Sequence, residues 1–201
     1  MSNLNYNNKE LNLKIVYYGT GLCGKTTNLR SIFAAFPQDR KGKMMSLATE
    51  LDQTLFFDFL PVDMGSVKGW KLRFHLFTVP GQIYYNVSRK LVLKGVDGLV
   101  FVVDSQEERL DENIESYNNL MDNLKGYGLA IKDIPMVIQY NKRDLPDIMP
   151  IGDLQLHLNK GGFTYFESVA MRGLGVFDTL KSICHLTILK QLESIPNLTE
   201  K

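Results

Sequence analysis

Short apolar runs alternate with longer stretches of helical periodicity along this chain. The runs with the length and the β-branched or aromatic content of strands are 13–18, 54–62, 72–78, 98–104, 135–141 and 164–168. Helical patterns lie at about 25–36, in the charged segment that follows the strand 98–104 and runs to about residue 124, and at about 176–193. This alternation predicts an α/β domain of six strands, mostly parallel, with about five helices on both faces of the sheet.

The chain shows no internal repeat, low-complexity linker or charge block that would divide it. The sequence predicts one domain over 1–201, with a polar lead-in at 1–11 and a polar tail at 194–201. The formal net charge of +1 leaves no basic excess for neutralising many phosphates, which disfavours a nucleic-acid partner. The two cysteines, Cys23 and Cys184, lie far apart in sequence and away from histidine clusters, which favours free thiols over a zinc site.

The chain ends carry no targeting pattern. The N-terminus lacks the basic start and apolar stretch of a signal peptide, and Ser2 does not fit the N-myristoyl signal. The C-terminal residues contain no prenylation cysteine. We therefore expect a cytoplasmic protein without a direct membrane anchor, so that recruitment to a cell pole or the inner membrane would depend on partners.

The strongest chemical signal is a glycine-rich segment directly after the first strand and directly before a helix. It fits the pattern GxxxxGK[ST] and reads Gly19-Thr20-Gly21-Leu22-Cys23-Gly24-Lys25-Thr26, followed by Thr27. Such a loop turns its backbone N–H groups onto phosphate oxygens. Lys25 can place an ammonium on the β- and γ-phosphates, and Thr26 can place a hydroxyl on Mg²⁺. The strand–loop–helix context favours this interpretation over a glycine-rich turn that binds nothing.

A second motif selects the base of the nucleotide. Asn141-Lys142-Arg143-Asp144 ends an apolar strand and fits the guanine-reading pattern NKxD. The Asp144 carboxylate can accept hydrogen bonds from N1–H and the exocyclic amine of guanine, whereas adenine would leave that charged acceptor unpaired. Asn141 can brace neighbouring loops, and the aliphatic part of Lys142 can lie over the base. The pair of motifs predicts GTP and GDP as ligands and disfavours a small-molecule kinase.

With these motifs the chain resembles the Ras-like small GTPases, and more closely the bacterial MglA group, which governs motility and cell polarity. The resemblance covers about residues 4–192. The stretches that carry it are 14–19, 54–61, 78–82 and 138–146. It implies a P-loop NTPase of Ras-like fold, GTP hydrolysis, regulation by an MglB-like Roadblock dimer, and polarity or motility effector proteins that bind the GTP state.

The resemblance also implies roles for single residues. Thr54 matches the threonine that closes on Mg²⁺ and the γ-phosphate, Gly81 the glycine that meets the γ-phosphate, and Gln82 the glutamine that positions water. Val169 and Ala170 match the last guanine-binding segment. In the Ras-like order the strand 55–60 lies at a sheet edge, where we expect the regulator to dock.

Two positions depart from family patterns. Thr78 stands where most Ras-like proteins have the aspartate that holds a Mg²⁺-bound water, a departure that the MglA group shares, and Asp52 and Asp58 are candidate replacements. Gln53 stands where MglA proteins commonly carry a catalytic arginine, and Arg89 is a nearby candidate to replace that charge. Gln53 favours a GTP-bound scaffold with negligible turnover, whereas Gln82 favours a hydrolysing switch that uses Gln82, Lys25 and the residue at 53.

Overall fold

The computed structural model of the chain describes residues 3–5, 7–48 and 54–193. Its strands are β1 (Asn3–Asn5), β2 (Glu10–Tyr18), β3 (Met45–Ala48), β4 (Thr54–Val67), β5 (Trp70–Thr78), β6 (Gly98–Asp104), β7 (Met136–Asn141) and β8 (Tyr165–Glu167). Its α-helices are α1 (Lys25–Ala35), α2 (Asn86–Leu93), α3 (Leu110–Lys125), α4 (Ile151–Leu158) and α5 (Val176–Glu193).

One sheet contains all eight strands of the described residues. Its order is β3-β4-β5-β2-β6-β7-β8, and β1 pairs antiparallel with β2 outside this path. The central pairs from β5 through β8 are parallel, whereas β3, β4 and β5 are joined antiparallel. The predicted α/β class is confirmed, and the sheet has two strands more than predicted, β1 and β3.

Helices cover both faces of the sheet, and β2 shows how the sequence arranges this. Leu13, Ile15 and Tyr17 belong to the apolar core under α1 and α5, whereas Val16 and Tyr18 belong to the core under α2, α3 and α4. Successive side chains of a strand point to opposite faces, so an unbroken apolar run serves both cores. The face of α5 that packs on the sheet is made of buried side chains, namely Val176, Leu180, Ile183, Cys184 and Thr187.

The hairpin of β4 and β5 forms one side of the sheet. Its turn is Lys68-Gly69, and both residues have positive φ, as a tight two-residue hairpin turn requires. From the sequence, Gly65, Ser66 and Gly69 are all expected in the connection between these strands. Gly69 lies in the turn, whereas Gly65 and Ser66 lie inside β4 at an irregularity in its pairing.

The predicted edge position of the strand 55–60 is wrong. β3 pairs antiparallel with β4 and occupies the edge. Four residues of weak apolar alternation gave no strand signal, and β3 exists because β4 offers it a backbone ladder.

Candidate functional site

The predicted phosphate-binding loop joins β2 to α1 at the carboxyl edge of the sheet. Two of its glycines are required by close approach. A Cβ at Gly19 would lie 2.2 Å from the carbonyl oxygen of Val102, and a Cβ at Gly24 would lie 2.2 Å from Nδ2 of Asn141. Gly24 also has φ 103° and directly precedes α1. The N-terminal turn of α1 therefore opens onto this loop, as an anion-binding site needs.

Lys25 lies inside the loop and is only 6% exposed. Its Nζ donates hydrogen bonds to the carbonyl oxygens of Thr20 at 2.6 Å and Gly19 at 3.1 Å. Burial lowers the pKa of Lys25 because the ammonium is removed from water. A phosphate in the loop would supply the opposite charge that these carbonyls lack, so the residue is placed as the phosphate prediction requires.

The candidate metal side of the site centres on Asp58, which is fully buried on β4. Its Oδ2 accepts hydrogen bonds from the hydroxyls of Thr26 at 2.6 Å and Thr78 at 2.7 Å, and its Oδ1 accepts one from Ser46. A carboxylate and a hydroxyl side by side are oxygen donors of the kind that Mg²⁺ prefers, so these residues fit the predicted ion. Of the two candidate replacements for the missing aspartate, Asp58 lies beside Thr26, and Asp52 is outside the described residues.

Asn141 joins three loops, as the sequence predicted. Its Nδ2 donates to the carbonyl oxygen of Cys23 at 2.8 Å, which ties the end of β7 to the phosphate loop. Its Oδ1 accepts from the hydroxyl of Ser168 at 3.0 Å and from the backbone N–H of Ala170 at 2.9 Å. Asn141 is 2% exposed, so the phosphate side and the candidate base side, including the segment with Val169, are held in one rigid arrangement.

The other two residues of the base-reading motif point to different partners. Lys142 has φ 65°, and its ammonium lies 2.6 Å from Oδ2 of the buried Asp104. The Asp144 carboxylate has Arg172 at 3.7 Å and keeps 28% of its side chain exposed. Because this long ion pair leaves its oxygens accessible, Asp144 can accept hydrogen bonds from a ligand.

Gly81 and Gln82 complete the phosphate end. A Cβ at Gly81 would lie 2.4 Å from Cα of Gly21, so the segment after β5 packs directly on the phosphate loop. A cavity of about 670 Å³ opens here, lined by the predicted residues 20–22, 24–27, Gly81 and Gln82. Gln82 is exposed and faces this cavity, in agreement with a role toward a ligand there.

The side chains of two predicted site residues are not described by the structure. Gln53 lies outside the described residues, and Thr54 begins β4 with a side chain that is not among those described. Their assignments therefore remain predictions.

The suggestion that Arg89 supplies a catalytic charge does not agree with the structure. Arg89 is fully buried on α2, with its guanidinium 4.4 Å from the ring of Tyr18 and a hydrogen bond of 2.7 Å to Ser116. It is not among the residues that line the cavity.

Arg109 and Glu112 reach the site although sequence reasoning missed them. Arg109 ends a single helical turn before α3, and its Nη2 donates to the carbonyl oxygen of Gly21 at 2.9 Å. Glu112 pairs with both Arg109 Nη atoms at 2.6 and 2.5 Å and accepts a hydrogen bond from Thr20 at 3.2 Å. The available signal was Asp104, a charged residue ending a wholly apolar strand at the same sheet edge, which predicts polar partners in the segment that follows.

The chain is similar in sequence to known proteins. The model of the ADP-ribosylation factor family matches residues 1–185. The chain is 54% identical over 188 residues to the "Mutual gliding-motility protein MglA" of Myxococcus xanthus. The aligned residues cover 94% of this chain and 96% of that protein. It is 27% identical over 128 residues to "ADP-ribosylation factor-like protein 6" of Caenorhabditis elegans, covering 61% of this chain and 66% of that protein. It is 28% identical over 103 residues to "GTPase Obg" of Caldicellulosiruptor saccharolyticus, covering 51% and 24% respectively.

Proposed function

This chain belongs to the ADP-ribosylation factor family and is a Ras-like GTPase of the MglA type, and on that premise we propose that it is a molecular switch controlling motility or cell polarity. The observation that carries the proposal is the Asn141 bridge, which joins the phosphate loop at Cys23 to the guanine segment at Ala170. A relative of 54% identity has gliding motility in its name, which supports the cellular role.

The geometry suggests how each residue takes part in GTP hydrolysis. Lys25 and the amides of the loop bind the β- and γ-phosphates, and Asp144 reads guanine. Thr26 and Thr54 would hold Mg²⁺, with Asp58 orienting its shell, and the bound ion would neutralise charge developing on the phosphate oxygens. Gln82 orients the attacking water, and Gly81 meets the γ-phosphate only while it is present, so hydrolysis removes that contact.

The nucleotide assignment has a direct test. Purified protein should carry GDP or GTP, identified by chromatography of the extracted nucleotide. Asp144→Ala should lower guanine affinity sharply because a charge-assisted pair of hydrogen bonds is lost. Asp153→Ala, on α4, is a matched control that removes a carboxylate from another helix. ADP or ATP as the main bound species would contradict the guanine assignment.

Gln53 favours a second candidate function, a GTP-bound scaffold in which slow turnover mainly preserves a protein-binding surface. A glutamine at this position cannot supply the delocalised positive charge of an arginine to the transition state. Turnover measured with and without the Roadblock regulator separates the two candidates, because a scaffold stays slow in both conditions.

The regulator and effectors would bind the exposed apolar face around α2. Tyr84, Val87 and Leu91 are 95%, 76% and 61% exposed and follow Gln82 within one turn-and-helix segment. Clustered exposed apolar side chains of this kind mark protein interaction sites. This face adjoins the segment that responds to the γ-phosphate, so a partner there would sense the nucleotide.

The partner proposal is tested with an MglB-like Roadblock dimer. Val87→Glu combined with Leu91→Glu should abolish its binding and its acceleration of hydrolysis, while GDP affinity stays unchanged. Leu156→Glu is the matched control, since Leu156 is 72% exposed on α4. Loss of binding in the control but not in the α2 variant would reject this face. We propose that such partners determine where the protein resides. Separately, no helix in the described ranges is long and apolar enough to cross a bilayer.

A further inference from the structure

Arg109 holds a backbone carbonyl of the phosphate loop from outside. Its Nη2 donates to the Gly21 oxygen at 2.9 Å, although the two residues are 88 positions apart in sequence. Glu112, one helical turn later, forms ion pairs with both Nη atoms of Arg109. The carboxylate of Asp104 lies 3.8 Å from Nε of Arg109. The guanidinium is therefore fixed in position and its charge is already neutralised, so it is placed to orient the loop and not to act as a free cation.

The residue after Gly21 adopts a conformation that needs support. Leu22 has φ 61°, in the left-handed region that disfavours residues with a Cβ. Its side chain cannot provide that support by packing, because Leu22 is 72% exposed. The conformation must therefore be maintained through the backbone, and the hydrogen bond from Arg109 falls on the peptide group between Gly21 and Leu22.

The geometry of that peptide links the contact to ligand binding. All peptide bonds of the described residues are trans, and a trans peptide directs its C=O and N–H to opposite sides. A guanidinium that pulls the Gly21 carbonyl toward α3 therefore aims the Leu22 N–H away from α3. The ionic hydrogen bond also polarises the amide, which makes the N–H a stronger donor.

We propose that Arg109 is a positioning residue for the nucleotide phosphates: it holds Leu22 in the left-handed conformation and so presents the Leu22 N–H to the phosphate group. This inference rests on the proposed guanine-nucleotide site, and Glu112 serves it by holding the guanidinium in place.

The test compares release of GDP carrying a ribose-linked fluorophore from wild type, Arg109→Met, Leu22→Gly and the double variant. Arg109→Met should release it about tenfold faster, the size expected for one lost charge-assisted hydrogen bond. Leu22→Gly alone is measured as the reference for the double variant. The double variant should release more slowly than Arg109→Met, because glycine adopts positive φ without the steric cost that Arg109 offsets. Arg73→Met is the matched control, since it breaks another arginine–glutamate pair, at 2.5 Å, on a remote part of the sheet.

A second readout separates positioning from general stability. The ³¹P resonance of the β-phosphate of bound GDP should shift in Arg109→Met and return toward the wild-type position in the double variant. Release from the double variant as fast as from Arg109→Met, or faster, would overturn the inference. Faster GTP hydrolysis in Glu112→Gln with unchanged GDP release in Arg109→Met would also overturn it, since a freed catalytic cation would then explain the contact. Failure of the wild type to bind GDP would instead refute the proposed function.

Discussion

Most Ras-like proteins carry at the position of Thr78 an aspartate that holds a Mg²⁺-bound water, and Asp58 is the candidate to replace it. The substitutions Asp58→Asn and Thr78→Asp, alone and combined, test this by moving the carboxylate from β4 to β5. In Asp58→Asn the amide oxygen can take the place of Oδ2 and keep the hydrogen bonds from the hydroxyls of Thr26 and Thr78, at 2.6 and 2.7 Å. The amide nitrogen then faces Ser46, whose hydroxyl can rotate to accept from it. Packing and hydrogen bonds are therefore retained, and the loss is the negative charge beside Thr26.

The magnitude follows from the type of contact. A group that orients a metal ligand from outside its first shell typically contributes 10- to 100-fold in metal affinity, about 1.4–2.7 kcal/mol. Asp58→Asn should therefore raise by about that factor the Mg²⁺ concentration that half-maximally slows GDP release. Thr78→Asp alone should also impair Mg²⁺ binding. It removes the hydroxyl that donates to Asp58 at 2.7 Å and puts a second carboxylate in its place, so that the two carboxylates share a proton.

The double variant Asp58→Asn/Thr78→Asp should bind Mg²⁺ better than either single variant, because one carboxylate again lies beside Thr26. The assay is release of fluorescent GDP across a Mg²⁺ titration, starting in chelator, with thermal denaturation of each variant without Mg²⁺ as the control for folding. Equal half-effective Mg²⁺ concentrations in wild type and Asp58→Asn would refute the role of Asp58. If the double variant binds Mg²⁺ no better than Asp58→Asn, a carboxylate at position 78 cannot substitute for one at position 58, and negative charge in this region is not sufficient.

Two further substitutions test the rate of GTP hydrolysis and the stability of the core beneath the site. Gln53→Arg should raise single-turnover GTP hydrolysis with saturating regulator by about tenfold or more, part of the 10³–10⁵ that an arginine finger supplies elsewhere; no change together with fast wild-type hydrolysis would mean that the charge comes from another group. Gln139→Leu should lower the free energy of unfolding by about 1–3 kcal/mol, since its buried amide donates to Asn28 at 3.0 Å and to Thr179 at 3.1 Å. Calorimetry with saturating GDP measures this, and an unchanged melting temperature would show that the core tolerates both groups without a partner.

The sequence by itself determined the parts of this protein that depend on neighbouring residues. The strand predicted at 98–104 is β6 and the helix predicted at 176–193 is α5, with the same bounds. The first is an unbroken apolar run that is buried at every position, and the second is a long helical pattern, so burial agrees with local preference along each. The phosphate loop was equally evident, because its glycines and Lys25 act within one turn of chain between a strand and a helix.

Short or non-local features were not accessible in this way. β3 has four residues and forms only against β4, so its existence depends on a partner strand and not on its own composition. Arg109 also appeared ordinary in sequence, in a charged segment typical of a solvated helix start. Its contact with Gly21 exists because β2 and β6 are adjacent and parallel, which brings the segments that follow them to the same edge.

The position of Asp58 beside Thr26 was decided by the tertiary structure alone. The sequence left Asp52 and Asp58 as alternatives, and nothing local distinguishes them. Asp58 reaches Thr26 because the pairing of β4 with β5 sets its backbone N–H and its carboxylate against the hydroxyl of Thr78. Side chains alternate between the faces of a strand, so a slip of one residue would turn Asp58 to the other face of the sheet. The sequence determined which chemical groups are present, and the register of the strands decided which of them meet.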